Sequence, residues 1–369
     1  MNSLGPRTNL FIMLLVTVAL IGGLVLATEY YLRTNDARRF IRATSIPGLK
    51  YELVPNYRGT YKGVEYRTNE FGFRGADFPM RKPPGEYRIL FLGDSIVQGG
   101  LVAEQAAMGA QLEALWQKQP RHGRTRVINA GVSSYDANDY LALYQHKGVK
   151  FDPDFVVVGL FLNDNFRYIA KEKFAAVAGP PRWWEHSVLL RTIVDIAALS
   201  ASRSFDPAVN SDPTLLAKIS DIIPDSASIR ALVEFFNQHQ YPLDLIIKES
   251  LPFVFDLPAW DQTRSPIAEL TRQVQGHHAG LLFVVLPLEF QLAPGYVYPQ
   301  PQLSIMAMCA ALGIDVIDAA PVLRKLQLDT GQSVYQQRGD MIHFDATAHA
   351  AIAQAIFEHM QGLASPPAR

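Results

Sequence analysis

Two short blocks carry the side chains that acyl chemistry needs. Gly93-Asp94-Ser95 stands directly behind an apolar run, and Asp340-Met341-Ile342-His343 stands near the other end of the chain, directly ahead of a helix-like run. A serine hydroxyl is a weak nucleophile at neutral pH. It becomes competent when a base within hydrogen-bond reach takes its proton and a third group orients that base. Ser95, His343 and Asp340 supply the three parts. Either block alone is a short match of the kind that arises by chance, and a lone Asp-Ser at a strand end reads first as a helix cap. What gives the pair weight is the set of elements that would have to bring it together.

Those elements alternate. Tyr87–Leu92, Arg126–Ala130, Phe155–Phe161, Leu281–Leu286 and Ile314–Ile317 are short and apolar, as strands buried on both faces are. Between them, Val102–Gln117 and Asp136–His146 show helical spacing, the second behind an aspartate suited to cap it. The alternation predicts an α/β fold, three layers α/β/α around a mostly parallel sheet. Ser95, Gly131 and Asn163 then lie at or just past the carboxyl ends of the first three strands, the edge where open parallel sheets bind ligands. Ser95 at a helix start has unpaired backbone N–H groups that favour a developing oxyanion. Gly131, in Asn129-Ala130-Gly131-Val132-Ser133, lets backbone approach closely and can present its own N–H. Asn163, in Phe161-Leu162-Asn163-Asp164, offers a neutral amide donor.

In content and order these blocks resemble those of the SGNH hydrolases, the GDSL esterase and lipase family, over about residues 87–359 apart from a long middle insertion. The resemblance implies Ser95 as nucleophile, His343 as base with Asp340 behind it, and Gly131 and Asn163 as oxyanion donors beside the Ser95 amide. Two positions depart from the family pattern. Val97 stands where a threonine is common, and Phe161 stands where a glycine is common, two residues before Asn163, so it narrows the mouth or tilts that amide. The implied activity is a serine esterase acting on O-acyl esters, O-acetyl groups of surface glycans or lipids among them, without a cofactor. Two alternatives share the same residues: an acyltransferase that passes the group to a glycan hydroxyl, and an inactive membrane-held binding or assembly protein.

Other polar residues have plainer roles. His349 lies on the final helix, where a packing or supporting hydrogen bond is expected, with Asp345 as that helix's N-cap; Asp94 and Asp164 tie loops through backbone amides. Cys309 sits in an apolar helical stretch as a buried bystander, and as the single cysteine it forms no internal disulfide. The Cys, His, Asp and Glu spacings imply no metal, and a net charge of −1 over 369 residues gives no pull toward nucleic acid.

The first 45 residues read as a membrane device. Thr8–Thr28 carries no charge and is long enough to cross a bilayer, with Tyr30 and Tyr31 placed for an aromatic belt, so a single-pass anchor is expected, a cleaved secretory signal being the alternative. Arg33, Arg38, Arg39 and Arg42 after the helix, against Arg7 before it, would hold the domain in the cytoplasm; long domains translocate largely regardless of that bias, and the family resemblance favours the extracytoplasmic side. Residues 46–84 form a short β-rich extension, with strands expected over Gly63–Phe73 and a hairpin at Thr68–Gly75 covering a sheet edge, where Arg74 is a candidate for lining the site. The hydrolase-like domain spans 85–364 and a tail follows at 365–369. Within it, an insertion at about 165–260, with Trp183-Trp184 and Val188–Val194, is either a substrate cap or a packing extension; its apolar helix could also rest on a membrane, though it lacks a basic face.

Overall fold

The computed structural model describes residues 6–34, 37–119, 123–162, 164, 187–190, 192–193, 207–241, 243, 257–336 and 340–363. In chain order it has α1 (Pro6–Thr34), β1 (Ile41–Arg42), β2 (Glu52–Leu53), β3 (Arg58–Tyr61), β4 (Val64–Arg67), β5 (Glu86–Gly93), α2 (Ser95–Gln98), α3 (Met108–Lys118), β6 (Arg124–Gly131), α4 (Ala137–His146) and β7 (Phe155–Phe161). There follow α5 (Pro213–Ile222), α6 (Ser226–Gln238), α7 (Leu257–Gly276), β8 (Gly280–Leu286), α8 (Gln300–Ala311), β9 (Asp315–Asp318), α9 (Ala320–Thr330) and α10 (Ala346–Gly362). Asn163, Trp183, Trp184, Val194 and the tail at 365–369 lie outside the described residues.

Five strands pair in parallel in the order β6-β5-β7-β8-β9. Val, Ile, Leu and Phe fill both faces of β5, β7 and β8, which is why those strands read as unbroken apolar runs rather than as alternating ones. The chain steps from β5 outward to β6 and then back across β5 to β7, so the order reverses beside β5 and opens a crevice at the carboxyl ends of the strands. Right-handed crossovers, the rule for parallel strands, require the β5-to-β6 and β6-to-β7 connections, which run in opposite directions across the sheet, to cover opposite faces. α3 packs on α10, with Trp116 edge-on to Phe357 at 4.9 Å, and α4 packs on α7. The result is the expected three-layer α/β/α architecture.

The N-terminal extension is interlocked with this sheet. β3 and β4 form a hairpin whose turn residues Lys62 (φ 47°) and Gly63 (φ 79°) are both left-handed. The strands therefore flank Gly63 instead of starting there, a correction to the sequence-based placement. Farther on, Arg74 forms a bridge with Asn129 on the edge strand β6, and Glu113 of α3 accepts from Val127 N at 2.7 Å, so the outer edge of β6 is covered as its hairpin predicted. At the amino end of the sheet, the fully buried Arg88 of β5 donates to Glu86 (2.8 Å) and to the carbonyls of Pro79 (2.6 Å), Met80 (2.8 Å) and Phe151 (2.9 Å). A buried guanidinium persists only when its donors are met. Here the connector between extension and sheet meets them.

α1 includes Ile12–Arg33, long and apolar enough to cross a membrane by length and composition, and none of its most apolar window is buried by the protein.

Candidate active site

β5 ends at Gly93 and the chain turns at once into α2, whose N-cap is Asp94: its side chain accepts from Ile96 N at 2.8 Å. Ser95 is the first helical residue, so its hydroxyl stands at the crevice above the sheet. α2 lies unusually close to the strands. A Cβ on Gly93 would meet Val97 Cγ2 at 2.2 Å, one on Gly159 would meet the same atom at 2.5 Å, and one on Gly131 would stand 2.3 Å from Gln98 N. Three strand glycines thus let the serine turn settle onto β5, β6 and β7, and Val97 fills the space between them with an apolar side chain.

The far block arrives from the other end of the chain. Asp340 Oδ1 accepts from Ile342 N (3.1 Å) and His343 N (2.9 Å), closing a local turn that fixes the imidazole. His343 Nδ1 lies 2.8 Å from Asp340 Oδ2, and His343 Nε2 lies 2.9 Å from Ser95 Oγ, across 248 positions of sequence. Burial pushes the Asp340 carboxyl up, but the His343 ring, its charge and the two backbone N–H groups outweigh that, and the net shift is downward. Asp340 is therefore a carboxylate facing Nδ1, which places the acceptor nitrogen Nε2 toward the serine.

The remaining expected site residues divide. Gly131 reaches the crevice, but its N–H donates to Asn129 Oδ1 at 3.1 Å, and what the structure demands of a glycine there is the approach of α2. Asn163 lies outside the described residues; Asp164 accepts from Phe161 N at 2.8 Å and its own N donates to Phe161 O at 3.0 Å. Arg74 does not line the site. It is buried under the end of α2, donating to the carbonyls of Gln98 (3.0 Å), Gly99 and Val102 (2.7 Å), with its guanidinium 5.1 Å from the Tyr66 ring.

Two buried carboxyls sit under the serine turn. Burial pushes Asp94 up to about 6, although Ile96 N and the His343 charge pull against it. Asp164, with Tyr140 Oη donating to it at 2.7 Å, is raised well above the usual carboxylate range, by burial first and by the Asp94 charge next. Two neighbouring buried carboxyls cannot both ionise cheaply, which adds to the upward push on Asp164. Asp164→Asn, which mimics the protonated acid, should then change stability by less than about 1 kcal/mol, whereas Asp164→Ala leaves Phe161 N without this acceptor and Tyr140 Oη with only the longer contact to Tyr135 O at 3.3 Å, and should cost about 1–3 kcal/mol. Denaturant unfolding compares them, and an Asn variant as damaged as the Ala variant would show that Asp164 is ionised.

His349 behaves as a supporting residue. It is buried on α10, and its Nδ1 accepts from Met108 N at 3.3 Å, capping α3, whose own N-cap Ala107 has no side-chain acceptor. Burial, then the charges of Arg74 and His343, lower it from 6.5 to about 3. The folded chain keeps this ring neutral where the unfolded chain protonates it, so its contribution to stability is full above about 6.5 and is lost as pH falls toward 3. His349→Gln should therefore show a shallower fall in melting temperature between pH 7 and pH 4 than the wild type. Parallel curves would overturn this.

Sequence inspection missed the braces. Lys50 Nζ donates to Ser134 O (3.1 Å) and pairs with Asp136 (2.9 Å) and Asp139 (2.7 Å), and Tyr51 Oη donates to Ser133 O, so the extension grips the loop that follows Gly131. Glu289 N donates to Met341 O at 3.1 Å, steadying the Asp340–His343 loop. Its only signal was its position, just past the carboxyl end of β8. Among the described residues no cluster of His, Cys, Asp and Glu could hold a metal ion, and Cys309 is buried, with burial pushing its thiol up to about 12.

No family model matches the chain, and no curated protein matches it. Solved structures similar to it include TesA, at 14% identity over 74% of this chain and 98% of that one, with a TM-score of 0.40. A catalytic mutant of Axe2, an acetylxylan esterase from Geobacillus stearothermophilus, is similar at 15% identity over 77% and 97%, TM-score 0.42. A two-domain esterase (CEX) active on acetylated mannans is similar at 12% identity over 77% and 52%, TM-score 0.42.

Proposed function

We propose that the chain is a membrane-anchored serine esterase of the SGNH type that hydrolyses O-acyl esters, with Ser95 as nucleophile, His343 as base and Asp340 as the group that orients it. The observation that carries this reading is the unbroken line from Asp340 Oδ2 through His343 to Ser95 Oγ, with separations of 2.8 and 2.9 Å. His343 Nε2 takes the hydroxyl proton as Oγ attacks the ester carbonyl, then returns it to the leaving alcohol; water, deprotonated by the same nitrogen, releases the acyl group. The oxyanion is received by the Ser95 N–H, which has no intrahelical acceptor, and by the Asn163 amide. Gly131 N–H joins them by turning away from Asn129 Oδ1. α1 holds the enzyme on the bilayer with the catalytic domain on the extracytoplasmic side, where acyl groups of surface glycans or lipids are the substrates within reach.

A fluorophosphonate probe tests the assignment directly, because it bonds only to an activated serine. Mass spectrometry of the labelled full-length protein should place the adduct on Ser95, and His343→Ala should slow labelling by at least about 10³-fold. Labelling elsewhere, or at an unchanged rate in the His343 variant, would refute the assignment.

A further inference from the structure

The end of α1 carries a carboxylate with an unexpected partner. Glu29 follows directly on the uncharged stretch, and besides Arg33 at 2.7 Å it accepts from Ser187 Oγ (2.9 Å), Val188 N (3.0 Å) and Leu189 N (2.8 Å). Residues 188–190 and 192–193 are helical, and Ser187 Oγ accepts from Leu190 N at 3.2 Å, so Ser187 caps a helical segment whose first N–H groups are satisfied by the anchor helix itself. In sequence this segment follows β7, whose carboxyl end lies on the same side of the sheet as Ser95.

Its depth follows from α1. At about 1.5 Å rise per residue, Glu29 lies roughly 4.5 Å along the axis from Leu26, the last large aliphatic residue of the exposed apolar stretch. Tyr30 and Tyr31, 72% and 67% exposed, follow it at the level where aromatic side chains meet lipid headgroups. A segment starting at Glu29 starts in that interfacial layer. Within it Val188 is buried against the protein, while Leu190 and Ile193, three apart and so on one side of a helix, are 39% and 51% exposed. Two aliphatic side chains facing outward beside an anchor whose most apolar window the protein leaves uncovered extend that apolar surface.

We propose that the segment starting at Ser187 lies on the bilayer surface beside α1, holding the active-site edge of the sheet against the membrane, so that the site takes acyl esters carried in that membrane. This rests on the anchor and esterase assignments above. With Arg191 the one basic residue between Ser187 and Val194, the attachment is apolar, and neutral lipid suffices.

Full-length protein in phosphatidylcholine vesicles tests it. An environment-sensitive fluorophore is attached after Leu190→Cys or Ile193→Cys, with Leu328→Cys, 77% exposed on α9, as the water-facing reference and unsubstituted protein as the control for Cys309. Lipid brominated in its acyl chains should lower emission at 190 and 193 at least about two-fold and leave 328 unchanged. Emission at 190 and 193 as indifferent as at 328, in protein that floats with the vesicles, overturns the proposal. Protein that does not float faults the anchor, and the proposal falls with it. A second measurement addresses substrate. Leu190→Asp combined with Ile193→Asp should reduce turnover of a vesicle-embedded acyl ester about five-fold or more while leaving a water-soluble acetyl ester untouched. Equal turnover of the embedded ester by variant and wild type overturns the membrane-borne substrate, whereas absence of turnover on the soluble ester by both faults the esterase assignment instead.

Discussion

Ser95→Ala should lower kcat on a model acetyl ester by on the order of 10⁴- to 10⁶-fold while leaving circular dichroism and melting temperature close to wild type. The chemical loss is large because no other hydroxyl is described within reach of His343 Nε2, which has Ser95 Oγ as its partner at 2.9 Å. The structural loss is small because the turn is held by other groups: the Asp94 cap, the Gly99 C-cap and the apolar wedge of Val97. His343→Ala should fall as far, and the double variant no farther, since nucleophile and base act as one unit. Asp340→Asn keeps the base and loses its orientation, so it should remain about 10²-fold more active than His343→Ala. Steady-state kinetics on purified full-length protein reads all four. A Ser95→Ala enzyme with wild-type turnover would remove the proposed mechanism entirely.

The largest effect on stability is expected at Arg74. Arg74→Met keeps the stem and removes the guanidinium, leaving the carbonyls of Gln98, Gly99 and Val102 without that donor in a site where the side chain is 3% exposed. Loss of several charge-assisted hydrogen bonds there should cost about 3–5 kcal/mol, seen as a melting temperature lower by roughly 10 °C. Arg74→Lys retains the charge but not the planar fork, and should recover only part of the loss. Because these carbonyls end α2, activity should fall along with stability, unlike in the Ser95 variant. A cost under about 1 kcal/mol in denaturant unfolding would show that water replaces the arginine.

The strands were more legible in the sequence than the contacts that support the site were. Strands buried on both faces announce themselves as apolar runs, and β7 begins and ends where its run does. Once the strands are placed, the position of Ser95 follows from the end of β5, whereas His343 stands ahead of α10 and far from any strand end, so its approach to Ser95 is a product of the fold. α3 was harder to bound. It starts at Met108 and not Val102, since Ala107 is extended (φ −65°, ψ 145°) and a tight turn at Glu104–Ala106 precedes it, a break that alanines do not signal. Gly131 drew attention as a donor, whereas its immediate task is steric, and no spacing rule reveals that α2 would come within 2.3 Å of where its Cβ would be. Lys50 escaped notice and Arg74 was given the wrong role because their partners lie at Asp136, Asp139, Gln98 and Val102, and a lysine or arginine in a loop looks the same in sequence whether it faces water or a buried carbonyl.

Arg88 bears on how far the protein can be shortened. Its guanidinium, in the first strand of the sheet, is met by carbonyls at Pro79 and Met80, which precede that strand. A deletion that begins the polypeptide at Gly85 would keep Glu86 and Phe151 beside the guanidinium but remove the Pro79 and Met80 carbonyls, leaving buried N–H groups without acceptors. Truncated forms should therefore retain everything from at least Pro79 onward, and grafting this sheet without its preceding connector should give insoluble protein however complete its reactive groups.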